Sequence, residues 1–81
     1  MITEKKVYEV ISKCLEVDRA EITASTTMDD FEAWSSLNHL SILVALDEHL
    51  DGKASKVRDL AEADSVELII RSLKQNQLIR M

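Results

Sequence analysis

Two adjacent hydroxyls, Ser35 and Ser36, stand directly before an apolar-rich run that begins Leu37-Asn38-His39-Leu40. A serine in the first turn of a helix is exposed, faces unpaired backbone N–H groups, and sits where the helix dipole favours negative charge. A phosphate ester on Ser36 would rest in a site suited to anions. The other reactive residues do not form a set. Cys14 is the single cysteine, which excludes an intramolecular disulfide and a cysteine-based zinc site. His39 and His49 are ten positions apart and do not share a helix turn. With no recognisable catalytic constellation and little volume for a pocket, the expectation is a protein that is not an enzyme and holds no metal.

The elements that must position Ser36 read as helices. The 81 residues make one domain, 1–81, with no proline, one glycine and one each of Phe, Trp and Tyr. That composition argues against a turn-rich β-sandwich and for an aliphatic core. In the first helix Val7, Val10, Ile11, Cys14 and Leu15 follow the one-face template, with Thr3 as N-cap, Ile2 and Val7 as a hydrophobic staple, and Glu9–Lys13 as an ion pair. Cys14, on that face, is expected to be a buried, inert thiol. Residues 17–35 form a long Asp/Thr/Ser-rich loop, ordered by the apolar anchors Ile22, Met28, Phe31 and Trp34, with a turn of helix near Asp29–Glu32.

The second helix is expected over Ser36–Leu50, capped by Ser35 and ended at Asp51-Gly52. Its core stripe is read as Leu37, Leu40, Leu43, Val44 and Leu50. Ile42, Ala45 and Leu46 then widen the apolar surface beyond one face, which fits either a partner surface or a helix buried on two sides. His39 is expected to face solvent and Trp34 to pack as a loop anchor. A short third helix is expected over Lys56–Glu62, with Ser55 as cap and Val57, Leu60 and Ala61 inward. Ser65 caps a last helix with Val66, Ile69, Ile70 and Leu73 inward, and Leu78 and Ile79 of the tail 75–81 dock. The fold class is all-α: a small four-helix bundle, three main helices plus a short third one, with a long loop between helices one and two.

Charge is uneven. Residues 15–51 carry nine acids against Arg19 alone, while the flanking segments are slightly basic. An acidic zone around Ser36 repels nucleic acid and suits basic protein patches. Nothing approaches the ~20 apolar residues that span a bilayer. No signal-peptide pattern opens the chain. The expectation is a monomer in the cytoplasm without nucleic-acid partners or a membrane span.

In order and spacing, several fragments resemble the acyl carrier protein family across nearly the whole chain. These are Val17-Asp18-Arg19-Ala20-Glu21-Ile22-Thr23 and Thr26-Thr27-Met28-Asp29-Asp30-Phe31 in the loop, and Trp34-Ser35-Ser36-Leu37 at the attachment motif. They continue with Ala45-Leu46-Asp47-Glu48-His49-Leu50, then Val57-Arg58-Asp59-Leu60 before Asp64-Ser65-Val66. The resemblance implies that Ser36 carries 4′-phosphopantetheine, received from coenzyme A through a phosphopantetheinyl transferase. It implies too that acyl intermediates ride on this arm as thioesters between an acyl-loading ligase or transferase and synthase enzymes. Ser35, Leu37, Asn38, Ser41, Asp47 and Glu48 would be the docking residues. Leu37 after Ser36 selects Ser36 over Ser35 as the attachment site. Ser35 occupies the place of the family's usual aspartate, and Asn38 and Ser41 are neutral where acids are common, which suggests a specialised free-standing carrier in a lipid, polyketide or related pathway. A peptidyl or aminoacyl carrier, or a carrier-like fold without an arm that serves as an interaction module, are the alternatives.

Overall fold

The computed structural model describes residues 2–80; Met81, the end of the expected tail, lies outside them. The chain runs β1 (Ile2–Thr3), α1 (Glu4–Leu15), α2 (Ser36–His49), α3 (Arg58–Glu62), α4 (Val66–Gln75) and β2 (Ile79–Arg80). Single 3-10 turns at Arg19–Glu21, Met28–Asp30 and Ala54–Lys56 punctuate the connections. The architecture is the expected small all-α bundle, with one addition. Ile2 pairs in parallel with Ile79 and Thr3 with Arg80, so the two ends of the chain are clasped. Pairing between positions so far apart leaves no local pattern to read.

α1 forms as its pattern dictates. Thr3 caps it by accepting the Lys6 N–H at 3.2 Å, and Val7, Val10, Ile11 and Leu15 are buried. Glu16 ends it in the left-handed conformation (φ 57°), and the Val17 N–H returns to the Ser12 carbonyl. Glu9 pairs with Lys6 at 3.8 Å rather than with Lys13. Cys14 is half-buried rather than fully enclosed, and burial pushes its thiol pKa up, which lowers its thiolate fraction. α4 is equally regular: Ser65 accepts the Leu68 N–H, and Val66, Ile69, Ile70 and Leu73 are buried. Leu78 and Ile79 dock into the same core.

The long loop is held at both ends. Ile22 and Trp34 are buried anchors, and Met28 and Phe31 pack against the core. Two of its acids serve the local backbone. Glu21 accepts the Asp18 N–H at 3.1 Å, and Asp30 accepts the Thr27 N–H at 2.7 Å, each closing a 3-10 turn. A β-bridge between Thr27 and Ser65 then stitches the loop to the start of α4, through Met28 N–H to Asp64 and Val66 N–H to Thr26.

Four further expectations are corrected. α2 buries His39, Ile42 and Leu46, with Leu50 just beyond its end, whereas Leu37, Leu40 and Val44 are 74%, 57% and 54% exposed. Its apolar residues lie on all sides, so the periodic pattern does not mark one face, and packing against α1 selects a side that shares only Leu43 and Leu50 with the expected stripe. His39 is therefore inside, not solvent-facing. In the third segment Ser55 does not cap a helix. Its hydroxyl donates to the Gly52 carbonyl at 2.8 Å, and α3 starts after Val57 without a side-chain cap. Ala61 is exposed, and Ala63 is buried in its stead.

Candidate functional site

Ser36 is the first residue of α2 and is exposed. Its position is fixed from three directions. Ser35 Oγ accepts the Asn38 N–H at 3.2 Å, so the residue before Ser36 spends its hydroxyl oxygen on the cap. The Asn38 side-chain amide donates back to the Ala33 carbonyl, tying the first turn to the loop. Trp34, two positions before Ser36, is buried and stacks on His39, ring centroids 6.0 Å apart at 25°. No side-chain hydrogen bond engages the Ser36 hydroxyl among the described residues. A free hydroxyl on a rigid helix start, with the dipole's positive end behind it, is open to a modifying enzyme and suits a phosphate ester.

Below Ser36, α2 separates two apolar surfaces. On the outer side Leu37, Leu40, Ser41, Val44, Ala45 and Glu48 line a shallow hollow of about 370 Å³. On the other side a groove of about 410 Å³ runs between α2 and the segment 54–61, walled by Leu40, Leu43 and Val44 against Ala54, Val57 and Leu60, with Asp47, Ser55 and Arg58 among its polar lining. Leu40 and Val44 belong to both. Isolated exposed apolar residues are common on proteins; Leu37, Leu40 and Val44 on successive turns of one helix form a patch of the kind that marks interaction sites.

The expected docking residues divide. Leu37, Ser41 and Glu48 share the outer face, and Ser35 is exposed at the cap. Asn38 is half-buried and turned to the loop. Asp47 is half-buried, and its Oδ1 accepts the Ser55 N–H at 2.9 Å, holding the connection after α2. Gly52, at φ 81°, makes the sharp exit there, and its N–H returns to the Asp47 carbonyl at 3.1 Å. Glu48 is therefore the free acid on this face of the helix, about 18 Å along the axis from Ser36 at ~1.5 Å per residue.

The residue that sequence reasoning missed is His39. Trp34 Nε1–H donates to its Nδ1 at 3.1 Å, and its Nε2–H donates to the Leu60 carbonyl at 2.9 Å. Those partners require the neutral imidazole with the proton on Nε2. The signal available was the pairing of Trp34 with His39 five residues on, but its third member comes from α3.

No helix among the described residues is long and apolar enough to cross a membrane, and none of their His, Cys, Asp and Glu groups is arranged to hold a metal ion. No family model, curated protein or solved structure matches this chain.

Proposed function

We propose that the chain is an acyl carrier protein. Ser36 Oγ takes the 4′-phosphopantetheine group from coenzyme A with release of 3′,5′-adenosine bisphosphate and a proton, in a reaction run by a separate transferase. The arm, when bound, supplies the thiol that holds an acyl group as a thioester. The observation that carries the reading is the free, exposed Ser36 hydroxyl at the start of a helix flanked by two apolar surfaces. The chain's residues fit the group. The serine is accessible, the helix start favours the phosphodiester, and Ser35 already caps the turn without blocking Ser36.

Each surface then has a use. The groove between α2 and α3 is apolar enough to shelter a carried acyl chain. The outer face (Leu37, Leu40, Val44) meets partner enzymes, with Glu48 and the loop acids attracting their basic residues. The first three turns of α2 are uncharged apart from any charge on the arm itself, so partner choice here rests on apolar contact more than on salt-bridged contact. Ligase, transferase and synthase partners, a monomeric state and a cytoplasmic, specialised pathway belong to the same proposal. An armless interaction module would use the same outer face, and the mass experiment separates the two.

Intact mass after incubation with coenzyme A, magnesium and a broad-specificity phosphopantetheinyl transferase is the test. One added phosphopantetheine is expected in the wild type and in Ser35→Ala, and none in Ser36→Ala. A gain in Ser36→Ala would refute the site. A folded wild type that gains nothing here, and is unmodified when isolated from its native host, would refute the carrier reading.

A further inference from the structure

Two successive hydrogen bonds cross from the loop to α3 beneath the groove. Trp34 Nε1–H donates to His39 Nδ1, and His39 Nε2–H donates to the Leu60 carbonyl. All three residues are buried. The third element in this chain is a weak one. α3 has five residues and no side-chain cap, and a helix that short has no stability of its own. It is held by the side chain of Leu60, by Val57 and Ala63 at its two ends, and by the bond from His39. Leu60 and Val57 are also the wall of the groove that faces Leu43 and Val44. The spacing of α2 and α3, which is the width of the groove, is thus set at one place by a bond whose donor is oriented by an indole two positions before Ser36.

We infer that Trp34, His39 and the Leu60 carbonyl form a latch. Closed, it holds α3 against α2 and keeps the groove narrow. Open, it lets α3 move off α2 and frees the loop end at Trp34, two positions before Ser36, in the same event. An apolar side chain at position 39 would fill the space, but it would leave the buried indole N–H without an acceptor and α3 without its tie. His39 is a positioning residue, because it acts on the groove through α3. The latch concerns how the groove opens; the carrier reading supplies only the occupant.

Amide hydrogen exchange across the whole unmodified chain tests this, in the wild type, Trp34→Phe, His39→Leu and His39→Gln. In His39→Leu the Glu62 and Ala63 amides are expected to exchange about tenfold faster, over and above any factor shared with α1 and α4. Trp34→Phe keeps an aromatic ring but loses the donor together with part of the indole's volume, and about threefold is expected there over and above any factor shared with α1 and α4. Glutamine can accept from the indole and donate to the Leu60 carbonyl, so His39→Gln should return to within about twofold of the wild type. Acceleration shared equally by α1, α3 and α4 would mean general loosening of the core and would overturn the latch. So would an unchanged α3 in His39→Leu, or a His39→Gln variant as fast as His39→Leu. Should His39→Leu fail to fold, the comparison of Trp34→Phe with His39→Gln decides: faster α3 exchange in the first alone, beyond any factor shared with α1 and α4, supports the latch, and equal α3 rates overturn it. None of these readouts involves arm attachment, so the latch and the carrier reading fail separately.

Discussion

α2 and α4 begin alike and present opposite outer surfaces. Each starts on a serine whose hydroxyl oxygen accepts the third residue's N–H at 3.2 Å, Ser35 from Asn38 and Ser65 from Leu68. In α4 Val66, Ile69, Ile70 and Leu73 go to the core, and the outer side is charged. There Arg71 pairs with Glu67 at 2.9 Å, and Lys74 reaches Glu4 of α1 at 2.7 Å. In α2 the core takes Ile42 and Leu46 with His39, yet Leu37, Leu40 and Val44 remain in solvent. Folding accounts for nearly every apolar residue of α4 and for only part of those in α2. The surplus clusters beside Ser36, where it can serve contact with other molecules and contributes little to the fold.

The sharpest way to break this comparison is to truncate both sides of α2. Leu46→Ala, at a fully buried position, is expected to lower unfolding free energy by about 2–5 kcal/mol. That is a large share of the ~4–12 kcal/mol expected of a domain of this length. Leu40→Ala, on the exposed side, should stay within about 0.5 kcal/mol while slowing modification by a transferase. Urea denaturation of the two variants reads the difference, and equal losses would mean that the outer face is core. Next come the caps. Ser65→Ala and Ser35→Ala should each cost about 1 kcal/mol. A much larger loss for Ser35→Ala in the same melts would show that the α2 start carries strain that α4 lacks. The smallest effect lies on the charged side of α4. Arg71→Ala, which breaks an exposed ion pair, should cost at most about 0.5 kcal/mol and less in high salt. A salt-insensitive loss above that would mean that α4 too depends on its outer surface.

How much was legible in the sequence follows the same division. α1 and α4 could be read because Thr3 and Ser65 are local caps and their apolar residues fall on one side. α2 could be bounded from Ser35 and Gly52, but its buried face could not be read, because Leu37, Leu40, Ile42, Leu43, Val44 and Leu46 surround the axis and only the neighbouring helices choose among them. His39 was misplaced for a related reason. A histidine is buried when its two nitrogens find partners, and one of these partners is a carbonyl 21 residues away. Ser55 carries the marks of a cap but lies within the 3-10 turn Ala54–Lys56, where its hydroxyl turns back to Gly52 and its N–H to Asp47. Ser36 at a loop–helix junction was legible. The groove beside it was not, because one wall is a five-residue helix and a 3-10 turn with little pattern of their own.

The pairing of Ile2 with Ile79 has a practical consequence for engineering. Because the two strands are parallel, the described ends leave the pair in opposite directions, and a crossover of about a dozen residues would join them into a ring. The ring could then be reopened at Gly52-Lys53, an exposed turn. Such a circular permutant would keep Ser36 within an uninterrupted α2 while releasing the segment that leads into α3 from its covalent tie to α2, so that the two sides of the groove would meet through packing and hydrogen bonds alone.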